Sequence, residues 1–344
     1  MADIEALVLS LGGMARRPQL LRLGAHDYEL TRAVRRGEVV RARNGWYSTF
    51  RESDPRLRAV RVGGRLTGLS AIASVGGWVL GQHPLHVSVH RNAARLRTQG
   101  NRFRRLNVRA PRNVALHWDD PEVDAFGTST AVGLVDALTR VVLDEDLETA
   151  VAALDWALHT GALDRIDFET LVLRLPVERR GISGWVDPTC ESLPESLART
   201  RLRVAGHQVV SQQPLRETQR IDLVVDGQVG IEVDGEEFHL DTFAADRDKD
   251  VDIAISGLHN LRPTAKMVFY DWDHFELGVL AALRARGRAP EFSGNARRDV
   301  FRSRGLTGWR RRPPHGHPEK STGRTMNATH SPGSGVPPNH RTRE

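Results

Sequence analysis

The chain has 344 residues, 40% of them hydrophobic and 27% charged, which is ordinary for globular protein and excludes collagen-like, wholly disordered and membrane-spanning classes. One cysteine, Cys190, excludes an internal disulfide, and the charges at Asp3, Glu5, Arg16 and Arg17 are unlike a secretory signal, so a cytoplasmic protein without membrane association is expected. The net charge of +6 is unevenly placed: residues 296–344 hold eleven Arg or Lys against three Asp or Glu, a local +8 that leaves the remainder at −2.

Residues 3–11 read as a short helix. "RPQLLRLG" at 17–24 opens a second with Pro18 in its first turn. "AHDYELTRAVRRGEV" gives a third, with Tyr28, Leu30, Ala33 and Val34 on one side and Arg32, Arg35 and Arg36 largely on the other, ending at Gly37. "VVRARNGWYST" supplies two short strands around Asn44–Gly45, a strong hairpin signal. Three helices and a hairpin outline a winged helix over residues 1–55, in which Arg32, Arg35 and Arg36 would meet DNA. The alternative is a small packing domain with a solvated arginine face. The stretch "LLRLGAHDYELTRAVRRGEVVRARNGWYS" resembles the N-terminal domain of AbiEi-type antitoxins of abortive-infection systems. That resemblance implies DNA binding and autoregulation.

Residues 56–187 read as a mixed, mostly helical linker domain. "LTGLSAIASVGGW" is a helix that stops at Gly76–Gly77, and "PLHVSVHRN" alternates like a half-buried strand. His83, His86 and His90 invite a metal, yet the polar side of such a strand accounts for two of them. "STAVGLVDALTRVVLDEDLETAVAALDWALHTGAL" reads as two or three packed helices with Trp156 in their core. This region carries no visible chemistry. A partner protein on the helices, or a homodimer, is an open alternative for its role.

Residues 188–290 carry the chemistry. "PESLARTRLRVAGH" is a helix with Pro194 near its start and Gly206 at its end, and "QVVSQQPL" an edge strand. In "IDLVVDGQVGIEVDGEEFH" a loop at Asp226–Gln228 pairs Val225 with Val229, Leu223 with Ile231 and Ile221 with Val233, which makes one face wholly apolar. The other face then sets Asp222 opposite Glu232, with Asp234 two residues on. Two carboxylates about 5 Å apart repel by roughly 3 kcal/mol at an effective dielectric of about 20. Solvent, a shared proton or a divalent cation could offset this, and hard oxygen ligands suit Mg²⁺ or Mn²⁺. A helix with Asp246 and Asp250 one turn apart, a short strand in "LHNLRP" and a long closing helix complete the order α-β-β-β-α-β-α.

Glu195 in "PESLARTRLR", Asp222 in "RIDLVV", Glu232 and Asp234 in "IEVDG", His239 in "EEFH", the "DRDKD" run and Arg262 in "NLRP" together resemble the PD-(D/E)XK nuclease superfamily, and within it the very-short-patch-repair-like endonucleases. The resemblance implies a restriction-endonuclease-like mixed sheet between helices, with DNA phosphodiester hydrolysis at its rim. It assigns metal binding to Asp222 and Glu232. Catalytic roles fall to Glu195, Asp222, Glu232, Asp234 and His239, and a phosphate contact to Arg262. Asp234 stands where the superfamily usually has Lys, and His239 nearby is the expected substitute. The fold class expected is thus α+β and multidomain, closed by a disordered basic tail at 291–344. The function expected is a Mg²⁺- or Mn²⁺-dependent DNA endonuclease in DNA repair or phage defence. The alternative is a non-catalytic antitoxin-like regulator with a degenerate nuclease fold.

Overall fold

Asp3 begins the first helix by accepting the Ala6 N–H at 3.0 Å, and α1 spans Ile4–Ser10. The computed structural model describes residues 2–109, 113–119, 123, 126–215, 219–234 and 243–287, with backbone alone at 243–248. The tail at 291–344 lies outside the described residues. After α1 come β1 (Met14–Arg16), α2 (Arg17–Arg22), α3 (Asp27–Arg36), β2 (Val40–Arg43) and β3 (Trp46–Ser48). The three helices and the hairpin are where the sequence places them. β1 is additional: it pairs antiparallel with β3, giving a three-stranded sheet ordered β1-β3-β2. Ile4, Val8, Leu20, Leu30 and Tyr47 form the core, and α3 turns Arg35 and Arg36 outward.

The middle region contains α4 (Pro55–Val62), β4 (Arg65–Leu66), α5 (Gly68–Ser74), β5 (Leu85–His90), β6 (Arg97–Thr98), β7 (Asn101–Arg105), β8 (Val114–Asp119), α6 (Leu134–Asp144), α7 (Leu147–His159), α8 (Arg165–Arg174) and a 3₁₀ segment (Val177–Gly184). It is richer in strands than expected. β5 lies between β4 and β8, antiparallel to the first and parallel to the second, while β6 and β7 pair separately. Alternation marks β5 in the sequence, but "NRFRR" of β7 is mostly exposed and has no apolar face to announce it. Trp156 is core, 6% exposed among residues of α5, α6 and α7.

The C-terminal part follows the expected order: α9 (Leu193–Val204), β9 (Val209–Pro214), β10 (Arg220–Val225), β11 (Val229–Ile231), α10 (Phe243–Ile255), β12 (His259–Leu261), α11 (Ala265–Tyr270) and α12 (Trp272–Ala285). The single closing helix expected there is instead two, divided at Asp271. The sheet is mixed, ordered β12-β11-β10-β9, with only β11 and β12 parallel. Leu223, Val225, Val229 and Ile231 pack one face against Leu197 and Leu202 of α9 and Phe275 and Val279 of α12. Each fully buried aliphatic side chain contributes roughly 1.5–3 kcal/mol. Ile253 of α10 covers the opposite face.

Buried contacts cross the boundary expected near residue 187. Asp155 of α7 accepts the Ser196 hydroxyl at 2.6 Å and the Arg199 guanidinium at 3.2 Å, both from α9, and the Asp187 N–H at 2.6 Å. Glu148 of α7 pairs with Arg201 at 2.5 Å. Among the described residues no helix is long and apolar enough to cross a membrane.

Candidate functional site

The β10–β11 hairpin adopts the expected register, Val225 with Val229 and Leu223 with Ile231. The ladder stops there, and the expected Ile221–Val233 pair does not form. Residues 232 and 234 continue beside the β12 side instead, donating their N–H groups to Leu261 and Pro263 carbonyls at 3.0 Å. β10 therefore parts from the β11 strand line at Asp222. Opposite it on β9, Gln212 takes a positive φ of 51°, and Ile221 packs with Val224 and Ile253 rather than on the face with Leu223. The wholly apolar face read from the sequence is corrected at that one residue. The alternation breaks where the strands part.

Two carboxylates fill the opening. Asp222 Oδ2 accepts the Val233 N–H at 2.8 Å, and Glu232 Oε1 accepts the Asp222 N–H at 3.1 Å. Each side chain satisfies a backbone donor that the ladder leaves unpaired. The structure thus brings Asp222 and Glu232 together as the register demands. It adds Glu195, which is 6% exposed on the first turn of α9. Glu195 accepts the Ser192 hydroxyl at 2.6 Å, the Glu191 N–H at 3.0 Å and the Gln212 amide at 3.1 Å.

Burial, and then the neighbouring Asp222 charge, raises the pKa of Glu195. Burial raises that of Asp222, opposed by the Val233 N–H and by Lys249. Burial and Asp222 push Glu232 up to about 7, with Lys249 pulling the other way. Three acids thus sit together under-neutralised. A cluster of carboxylates perturbed by burial and by one another is a candidate functional site.

Lys249 on α10 forms an ion pair with Glu232 Oε2. The sequence reading passes over this residue as part of the "DRDKD" run. The one available signal is its rarity, since Lys249, Lys266 and Lys320 are the chain's only lysines. Its ammonium reaches the acids from a helix, whereas the third motif offers Asp234 at the usual lysine position. Asp234 is engaged elsewhere: Arg262 donates to it at 2.7 Å and lies 3.6 Å from Asp250. Asp250 in turn accepts from Asn260 at 2.8 Å. His239 and the side chain of Asp246 lie outside the described residues.

Two adjacent carboxylates fit a hard divalent ion. Mg²⁺ takes one or two protein carboxylates and completes its shell with water and substrate phosphate. Among the described residues no three His, Cys, Asp or Glu side chains converge to cage a metal, so any ion here would share its shell with solvent and substrate. His83, His86 and His90 form no such group among the described residues. His86 and His117 stack at 5.3 Å instead, and His90 accepts the Asn92 N–H.

Of the residues expected to meet DNA, Arg35 and Arg36 are exposed on α3, Arg36 lying 3.6 Å from Glu38, and Arg32 is half-buried on the same helix. No family model matches the chain, and no curated protein matches it either.

Proposed function

We propose that the chain is a metal-dependent DNA endonuclease of PD-(D/E)XK type, carrying an N-terminal winged helix that holds DNA. One observation carries the reading: Asp222 and Glu232 meet where two strands of a mixed sheet part, with Glu195 and Lys249 beside them. Asp222 and Glu232 would hold the ion, for which an all-oxygen pair is suited. A bound divalent ion lowers the pKa of a coordinated water and stabilises charge on a phosphate. The chain's own contribution is positional. The Val233 N–H fixes the Asp222 carboxylate and the Asp222 N–H fixes that of Glu232. Glu195, held by three donors, is placed to orient water or to assist as a ligand. Lys249 supplies from α10 the cation that position 234 lacks, to steady a water or a phosphate oxygen. The topology of residues 2–48, three helices with a hairpin closed by β1, supports the winged-helix reading, in which α3 with Arg32, Arg35 and Arg36 would enter the groove. Supercoiled plasmid with Mg²⁺ or Mn²⁺ tests the activity: nicking by the wild type and none by Asp222→Asn supports it, and equal nicking by both removes it.

A second reading, a non-catalytic antitoxin-like regulator, is favoured by the ion pairs themselves. Lys249 on Glu232 and Arg262 on Asp234 let the chain neutralise its own acids. That reading requires sequence-specific DNA binding without metal uptake. Calorimetric titration with Mn²⁺ separates the two: one saturable site lost in Asp222→Asn belongs to the nuclease, and no heat of binding to the regulator.

A further inference from the structure

A cavity of about 510 Å³ opens between the β2–β3 hairpin and the middle region, well apart in sequence from the acid site. This volume falls within the range of small-molecule sites, roughly 300–1,000 Å³. Its described lining is basic, with the Asp136 carboxylate acting on Arg65 from outside it. Arg16, Arg43, Arg65 and His90 line it together with Trp46 and Ser129, and among its described lining residues there is no Asp or Glu.

The arginines are placed by the fold. Arg65 is held by its guanidinium, which donates to the backbone carbonyls of Val123 and Phe126, each at 2.9 Å, and of Thr128 at 3.3 Å. Arg16 lies over the Trp46 ring at 4.7 Å, a cation–π contact that uses the face of its guanidinium rather than its N–H edge. Arg43 is half-buried, and the one hydrogen bond of its guanidinium among the described residues is a long one, 3.4 Å to the Arg95 carbonyl. Burial and the neighbouring Arg97 lower its pKa, so its charge is held in a place that disfavours it.

Two glycines make that placement fit. A side chain at Gly63 would lie 2.1 Å from the Arg43 guanidinium, and one at Gly64 would lie 1.9 Å from the Ser88 carbonyl oxygen. A partly buried guanidinium without a carboxylate partner costs free energy unless an anion completes it. Guanidinium forks match phosphate oxygens in geometry and charge.

We infer that this cavity binds a small phosphorylated molecule, of mononucleotide size or less, through Arg16 and Arg43, with Trp46 as its apolar wall, the carbonyl-held Arg65 as a structural part of its lining and Ser129 at its rim. The inference is independent of how the acid site is read.

The test is calorimetric titration of the full chain, at fixed ionic strength, with inorganic phosphate, pyrophosphate and deoxyadenosine 5′-monophosphate in turn. At least one probe should bind once and saturably. Arg43→Gln and, separately, Ser129→Asp should each weaken that binding about tenfold or more, the loss expected for one charge-assisted contact. Arg43→Lys should lose less. Neither Arg43→Gln nor Ser129→Asp should lower the melting temperature, because Arg43 makes no ion pair among the described residues and Ser129 is exposed. Absence of saturable binding by the wild type, or equal binding by wild type and Arg43→Gln, would overturn the inference. A short DNA duplex is titrated alongside. If Arg43→Gln weakens the duplex about tenfold while none of the three small probes binds, the cavity is a DNA-backbone contact and the small-ligand assignment falls.

Discussion

At Asp222 a side chain does what a strand partner does elsewhere in the sheet, accepting the Val233 N–H at 2.8 Å. The two roles of this carboxylate, acceptor and charge, can be separated by substitution. Asp222→Ala leaves the Val233 N–H unpaired and should cost about 1–3 kcal/mol in urea unfolding. Asp222→Asn retains an acceptor and removes the repulsion with Glu195 and Glu232, so its stability should match or exceed that of the wild type. His86 offers a second measurement at this scale. It is 5% exposed, and burial together with His117, His83 and Arg140 lowers its pKa from 6.5 to about 3, although Glu145 lies 3.8 Å from its Nε2. Because the folded value is depressed, the unfolded chain takes up the proton first as pH falls. Stability is full above about 6.5 and declines toward 3, with about 2 kcal/mol lost by pH 5. Urea unfolding of the wild type between pH 7.5 and pH 5 should show this decline, and His86→Gln should flatten it. Asp222 and Glu232 were legible in the sequence because a strand has period two and the turn fixes the register. Lys249 was not, because its contact depends on how α10 lies across the sheet, which no local pattern specifies.

Among the elements, α9 links stability to the site. Its first turn reads Ser192-Leu193-Pro194-Glu195, and the Ser192 hydroxyl both receives the Glu195 N–H and donates to the Glu195 carboxylate. Ser192→Ala should cost about 1 kcal/mol by urea unfolding and should free Glu195 from one of its three holders. The α-β-β-β-α-β-α order could be read from periodicity, glycine stops and proline starts. The parting of β10 at Asp222 could not, since it arises from β9 and β12 drawing the two strands to opposite sides. The short strands β1 and β7 escaped for a related reason. Three or five residues with exposed arginines acquire strand form only from a partner, Trp46–Ser48 for β1 and Arg97–Thr98 for β7. The closing helix broke at Asp271, where φ is −136° and ψ 45°, and nothing in the sequence between Thr264 and Ala285 gives a physical reason for it.

At the scale of the whole molecule, the boundary expected between the middle region and the C-terminal part is joined by a buried ion pair. Arg199 is 3% and Asp155 0% exposed in side chain, at 3.2 Å. Arg199→Met would leave Asp155 buried with its charge uncompensated and should cost about 3–5 kcal/mol. Both parts should then unfold at lower urea in a single shared transition; two separate transitions in the wild type would show that the contact does not couple them. Such coupling makes the acid site's geometry depend on helices that carry no chemistry of their own. The central claim is that Asp222, Glu232 and Lys249 form a cutting site, and its most direct test is the rate of plasmid nicking in Mn²⁺. The wild type should nick, Lys249→Gln should be slower by about a hundredfold, and Asp222→Asn, though fully folded, should be inactive. Nicking at the wild-type rate by both variants, or none by the wild type over a range of Mn²⁺ and Mg²⁺ concentrations, would contradict it.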